Sequence, residues 1–184
     1  MKKWLKIISV FELVGGILGI VIVLIVLISS QTTRNDMPTI ILISAYFIYA
    51  FALAMYLLSI IAALLLWQDK KAGYILSIII QVIQIPHIET STFFYNFVSG
   101  AQILISLGIR PDGGSFNFGG YIGSTLNISL YTPLNGVTIG LNILAIAVVI
   151  LLFRLMAQKN RAVINENVAQ PYLEPYINEN GSGI

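Results

Sequence analysis

Residues 7–28, IISVFELVGGILGIVIVLIVLI, decide what kind of fold this chain can have. The run is apolar throughout except for Ser9 and one ionisable group, Glu12. It exceeds the roughly 18 residues that mark a membrane helix and, at about 1.5 Å per residue, covers a hydrocarbon core of roughly 30 Å. Lys2, Lys3 and Lys6 precede it, with Trp4 at its edge. A basic start before an apolar run has the outline of a signal peptide. However, the run is long and the following SSQTTRND contains no small-x-small cleavage site, so an uncleaved signal-anchor is predicted.

The rest of the chain has the same character. Of 184 residues, 57% are hydrophobic and 10% charged, against about 25% charged in an average soluble domain. That balance argues against a soluble enzyme, a secreted disulfide module and a nucleic-acid binder. The chain has no cysteine, which removes disulfides, thiolate nucleophiles and cysteine metal sites. Further spans are predicted at about 39–67, 72–90 and 136–156. Pro38 suits the first turn of the second span, which is longer than the hydrocarbon core and must tilt or protrude. Gln68-Asp69-Lys70-Lys71 makes a tight polar turn. The third apolar run stops at Pro86, so its span must continue through His87 and Glu89, or the bilayer must thin there.

Basic residues set the orientation. With four spans, Lys2, Lys3, Lys6, Lys70, Lys71, Arg154, Lys159 and Arg161 face inward, and Arg34 and Arg110 outward. A fifth span at Phe93–Ile109 would weaken that asymmetry. Four spans within residues 1–156, both termini cytoplasmic and a bacterial inner membrane are therefore predicted. Residues 157–184 read as a disordered cytoplasmic tail, in which Ile164-Asn165-Glu166-Asn167 is echoed by Ile177-Asn178-Glu179-Asn180. The layout resembles that of tetraspanins and claudins in topology alone, since the cysteine motifs of their outer loops are absent here.

The outer loop, residues 87–135, is too long to be structureless. Ser91 and Thr92 can cap a helix over 93–108 whose apolar face is Phe93, Phe97, Ala101 and Leu104. Pro111-Asp112-Gly113-Gly114 signals a turn. Leu126, Ile128 and Leu130 alternate with Asn127, Ser129 and Tyr131, which predicts a β-hairpin over 115–131. The glycines at 119, 120 and 123 lack the lysine and the helix start of a phosphate loop, and Asn127-Ile128-Ser129 is a glycosylation sequon on the outer side. The fold class predicted is thus an all-α membrane protein: a four-transmembrane-helix bundle with a small extracytoplasmic cap of interfacial helix plus hairpin.

Few residues stand out chemically. Glu12 is expensive inside a span, at about 2.5–3.5 kcal/mol on insertion scales. Ser9, Glu12, Gly16 and Gly19 share a helix face, and Gly15 and Gly19 form a GxxxG pair that admits a second helix. Matching stripes are predicted on the other spans: Ala45, Tyr49, Ala52, Tyr56, Ser59 and Ala63; Tyr74, Ser77, Gln81 and Gln84; and Thr138, Asn142 and Ala145 beside Gly136-x-x-x-Gly140. Counted from the cytoplasmic face, Glu12 is level with Ser59, Ser77 and Gln81, its expected hydrogen-bond partners. This polar site, Glu12, Ser59, Ser77, Gln81, Gln84 and Asn142, either glues helices together or lines a path for a proton, ion or solute. His87 and Glu89, with Asp112, form a weaker outer-interface candidate for metal or acid–base chemistry.

The function expected is that of a non-enzymatic accessory or assembly subunit of a membrane complex, touching lipids and an oligomeric membrane partner but no nucleic acid. The alternatives are a small oligomeric channel or carrier using Glu12, and a membrane-interface enzyme using His87 and Glu89. Neither a metal nor a cofactor is expected.

Overall fold

The computed structural model describes residues 2–29, 39–129 and 136–169. Helix α1 spans Lys2–Ser29, α2 Thr39–Trp67 and α3 Lys71–Gln84; strands β1 Pro86–Glu89, β2 Phe94–Arg110, β3 Gly113–Ser129 and β4 Val137–Asn142 come next, and α4 runs Ile143–Ala169. By length and composition three stretches can cross a membrane: Lys3–Ser29, Leu42–Trp67 and Ile143–Ala162. The chain is therefore mixed helix and sheet, not the all-α four-span bundle that its apolar runs predict.

The helices gather their basic ends. Leu5 and Ile8 of α1, Leu66 of α2, Tyr74 of α3 and Leu152 and Leu155 of α4 form one buried cluster. Helix α2 ends in a Schellman-type turn. Asp69 takes a left-handed φ of 56°, its N–H reaches Leu66 O at 2.9 Å, and the Lys70 N–H reaches Leu65 O at 2.9 Å. The Asp69 carboxylate then accepts from Tyr74 Oη at 2.7 Å and pairs with Lys159 Nζ at 2.9 Å, tying α2, α3 and α4 together. Lys6 lies 5.5 Å from the Trp67 ring centre.

Helix α3 stops at Gln84, short of the third span predicted over 72–90. Pro86 has no N–H to give to the helix, and the chain passes instead into β1. The Ile85 carbonyl, left without a helical partner, accepts from the Asn142 N–H at 2.8 Å.

The sheet is antiparallel, in the order β1-β4-β2-β3, with β1 also pairing β2. Strands β2 and β3 pair along their whole length, from Phe94 opposite Ser129 to Arg110 opposite Gly113. The outer half of β2 also pairs β4, from Leu104 opposite Asn142 to Ile109 opposite Val137. Its first residues pair β1, and β1 pairs β4, so the sheet curls. The interfacial helix predicted over 93–108 is absent: from Phe94 onward this stretch is strand. The predicted hairpin over 115–131 is the second half of a much larger one; Leu130 and Tyr131 lie outside the described residues. Ser91 and Thr92 cap no helix; they belong to a turn in which Thr90 Oγ1 accepts the Phe93 N–H at 2.9 Å. The predicted span at 136–156 begins as strand, with Gly140 on β4, so the Gly136–Gly140 pair is not a helix-packing motif. Helix α4 continues to Ala169, giving helical structure to the first part of the expected tail.

Glycine lets the sheet reach the helices. Gly100 and Gly123 face each other across β2 and β3 with φ of 105° and 143°, conformations that side chains with a Cβ rarely adopt. Helix α1 crosses the hairpin there. A Cβ on Gly15 would overlap the Gly100 backbone, and one on Gly100 would lie 2.8 Å from Phe11 O. Ser124 Oγ donates to the Gly15 carbonyl at the same crossing.

Candidate functional site

Glu12 sits on α1 one turn before this crossing and is 1% exposed. Ser77 Oγ donates to Oε2 at 2.7 Å, and Gln81 Nε2 donates to Oε1 at 3.0 Å. Both donors come from α3, where a spacing of four puts them on one face. Ser59 of α2 reaches the Glu12 backbone carbonyl, at 3.2 Å, rather than its carboxylate. Ser9 turns back onto its own helix and donates to Leu5 O at 2.7 Å. Among the described residues no cation pairs with Glu12, and the one salt bridge is Lys159–Asp69. The carboxylate is thus held by two neutral donors alone.

Polar contacts continue from Glu12 into the sheet. Ser59 Oγ lies 3.0 Å from Ser99 Oγ, and the Ser99 N–H donates to Gln84 Oε1 at 3.0 Å. Asn142 is not on a helix stripe. As the last residue of β4 its Oδ1 accepts from the Ile103 N–H at 3.2 Å and from the Ala145 N–H at 3.3 Å, which caps the start of α4. Gln102 Nε2 donates to Asn96 Oδ1 at 3.2 Å. Gln102, Ser106, Ser124 and Thr138 are all buried. Among the described residues Gln84 Nε2, His87 Nδ1 and Asn142 Nδ2 are buried without a partner.

Beyond Gly100 the sheet turns polar side chains inward and apolar ones outward, whereas Phe97 and Val98 before it are fully buried. Along β4, Thr138 is 6% exposed and Ile139 is 59% exposed. Residues opposite one another on paired strands share a face. Ile105 lies between Phe118 and Leu141, Leu107 between Phe116 and Ile139, and Ile109 beside Val137. These residues make one outward apolar face, with Phe118 69% exposed. Sequence reasoning missed Ser99, Gln102, Ser106 and Ser124. Part of the signal was present in Gln102-Ile103-Leu104-Ile105-Ser106-Leu107, where every odd position is Ile or Leu and the two polar residues, Gln102 and Ser106, fall on even ones.

The predicted packing glycines separate. Gly16 lies against α2, where an added Cβ would come 2.6 Å from Ile60 Cγ1, and Gly19 lies against the Tyr56 ring. Gly15 lies against the sheet instead. His87 and Glu89 stand two residues apart on β1, so they share a strand face. The His87 ring meets Phe94 edge-on at 5.7 Å. Asp112 sits at the far tip of the hairpin, so the three do not converge. Among the described residues no group of three His, Asp or Glu is placed to hold a metal.

Glu12 and Gln81 also form part of the wall of a cleft of about 620 Å³. Helices α1 and α4 flank it, and hairpin residues 101–103 and 120–122 close one end. No protein-family model, curated protein or solved structure matches this chain.

Proposed function

We propose that this chain is an integral membrane protein without enzymatic activity that acts as an accessory or assembly subunit, with the sheet as its contact surface. The outward face of the sheet carries the proposal. It is apolar across three strands, and β3 pairs only with β2 among the described strands, leaving the far side of a 17-residue strand open. Residues 90–109 and 113–153 contain no Asp, Glu, Lys or Arg, unlike a sheet that faces water. Lipid can cover apolar side chains but leaves the backbone groups of an open edge unsatisfied. A neighbouring membrane protein, a second copy included, covers both.

The gathering of eight basic residues toward one end of the helices supports a cytoplasmic location for that end and for both termini. The lysine-rich start and the lack of cysteine fit a bacterial inner membrane. In the cysteine-free chain, Gly114→Cys should then react with an impermeant thiol reagent on intact cells, and Asn180→Cys should not.

Photo-crosslinking in cells tests the contact. A photoreactive side chain at Phe118 or Ile139 should give one discrete protein adduct, and the same group at Ile25 on the exposed side of α1 should not. Adducts to lipid alone at all three positions would sink the proposal.

A further inference from the structure

The Glu12 cleft lies between α1 and α4, with Ile103 and Ile122 of the hairpin at its edge, and asks for a different occupant from the outward sheet face. Its volume of about 620 Å³ falls in the range of roughly 300–1,000 Å³ that suits small ligands. Its walls are Trp4, Ile7 and Phe11 from α1 and Leu144, Ala147 and Leu151 from α4. Tyr121 and Ile122 close it from the hairpin. Against this apolar lining stands one carboxylate. Glu12 uses one oxygen for Ser77 and the other for Gln81, which leaves further acceptor capacity on each oxygen.

We infer that this cleft is a binding site for an amphipathic organic cation, whose apolar body fills the space between α1 and α4 and whose positive head lies against Glu12. The inference is independent of the sheet's partner. Three observations carry it. Glu12 is buried with no cation beside it among the described residues, and a buried carboxylate is costly unless it is paired, so a cationic partner favours its charged form. The cleft walls are aliphatic and aromatic, matching a hydrocarbon body and offering ring faces to a cationic head. The flanking stretches Lys3–Ser29 and Ile143–Ala162 are both long and apolar enough to cross a membrane, so a lipid-soluble cation can approach between them. A neutral lipid chain fits the walls but gains nothing from Glu12.

The probe is N-octylpyridinium, a cation with a short alkyl body whose ring quenches tryptophan on contact. Trp4 lines the cleft and Trp67 does not, so the measurement uses Trp67→Phe, leaving Trp4 as the reporter, in nanodiscs of phosphatidylcholine. Saturable quenching is expected, with octanol a poor competitor. Adding Glu12→Gln should weaken cation binding by about tenfold or more. Adding Ala147→Phe, which fills the cleft and leaves the carboxylate alone, should remove the saturable phase. Equal cation affinity in the Glu12→Gln protein overturns the inference, as does quenching that never saturates. If Glu12→Gln does not fold, Ala147→Phe decides alone: retained saturable binding refutes the site, and its loss supports it.

Discussion

The helices around Glu12 and the outer half of the sheet both bury polar side chains while leaving many apolar ones exposed, but the two differ in what they leave open. Helices α1 and α2 satisfy their own backbones, so their exposed apolar sides need nothing more than an apolar medium. The sheet reaches the same inversion with a period of two, and its last strand still has an unpaired side. Inverted polarity in both regions is what apolar surroundings would require. The open edge leaves the sheet, unlike α1 and α2, with backbone hydrogen bonding unfinished among the described residues. A search for partners should begin at the hairpin, and a search for ligands at the helices.

The sharpest way to break the comparison is at the crossing of α1 and the sheet. Gly100→Val places a branched side chain at a φ of 105° against the Phe11 carbonyl. The strain and overlap should destabilise the protein by about 3 kcal/mol or more. Gly119→Ala, with nothing within 4 Å of its added Cβ, should stay within about 0.5 kcal/mol. Denaturant unfolding in mild detergent compares the two, and equal effects would mean that the sheet does not rest on α1 at Gly15.

Glu12 provides the next contrast. Glu12→Leu leaves Ser77 and Gln81 buried without their acceptor and should lose about 1–3 kcal/mol. Glu12→Gln keeps an acceptor at similar volume and should lose less than half as much. If the two variants unfold together, the hydrogen bonds from α3 contribute nothing to holding α1. The smallest effect belongs to the basic end. The Lys159 and Asp69 side chains are 34% and 40% exposed, so Lys159→Ala should lose no more than about 1 kcal/mol, and less at high salt. A larger loss would show that this end is held by charge rather than by the Leu5–Leu155 cluster.

These two periods also explain which parts of the molecule are legible in its sequence. Glu12, Ser77 and Gln81 lie on helices where spacings of three and four are unambiguous, and counting turns from the basic end is enough to set them level. The sheet is harder to read because a spacing of four suits both elements. Phe93, Phe97 and Ala101 would line one face of a helix, yet four is also twice two, so they equally line one face of an extended chain. Thr138 and Asn142 share the same ambiguity, and Gly136 and Gly140 do too. The distinguishing signal is the strict alternation Val137-Thr138-Ile139-Gly140-Leu141-Asn142, which fits period two and no helix. It is masked because its apolar half runs without a break into α4. The pairing of β1 with β4 is beyond any local pattern, since its two strands are separated by the whole hairpin.

That separation also orders events in time. The hairpin of β2 and β3 closes through neighbouring residues and can form as soon as Ser129 has left the ribosome. The seam between β1 and β4, with Pro86 opposite Leu141, closes only after the intervening chain exists. Until β4 emerges, the outer half of β2 is an open edge like that of β3, and the Ile85 carbonyl has no Asn142 amide to meet. The ribosome therefore delivers α1, α2 and α3 to a structure that stays unsealed until one of its last strands arrives. A stall that keeps β4 inside the ribosome after β3 has emerged would leave the outer half of β2 and the far side of β3 free to pair wrongly.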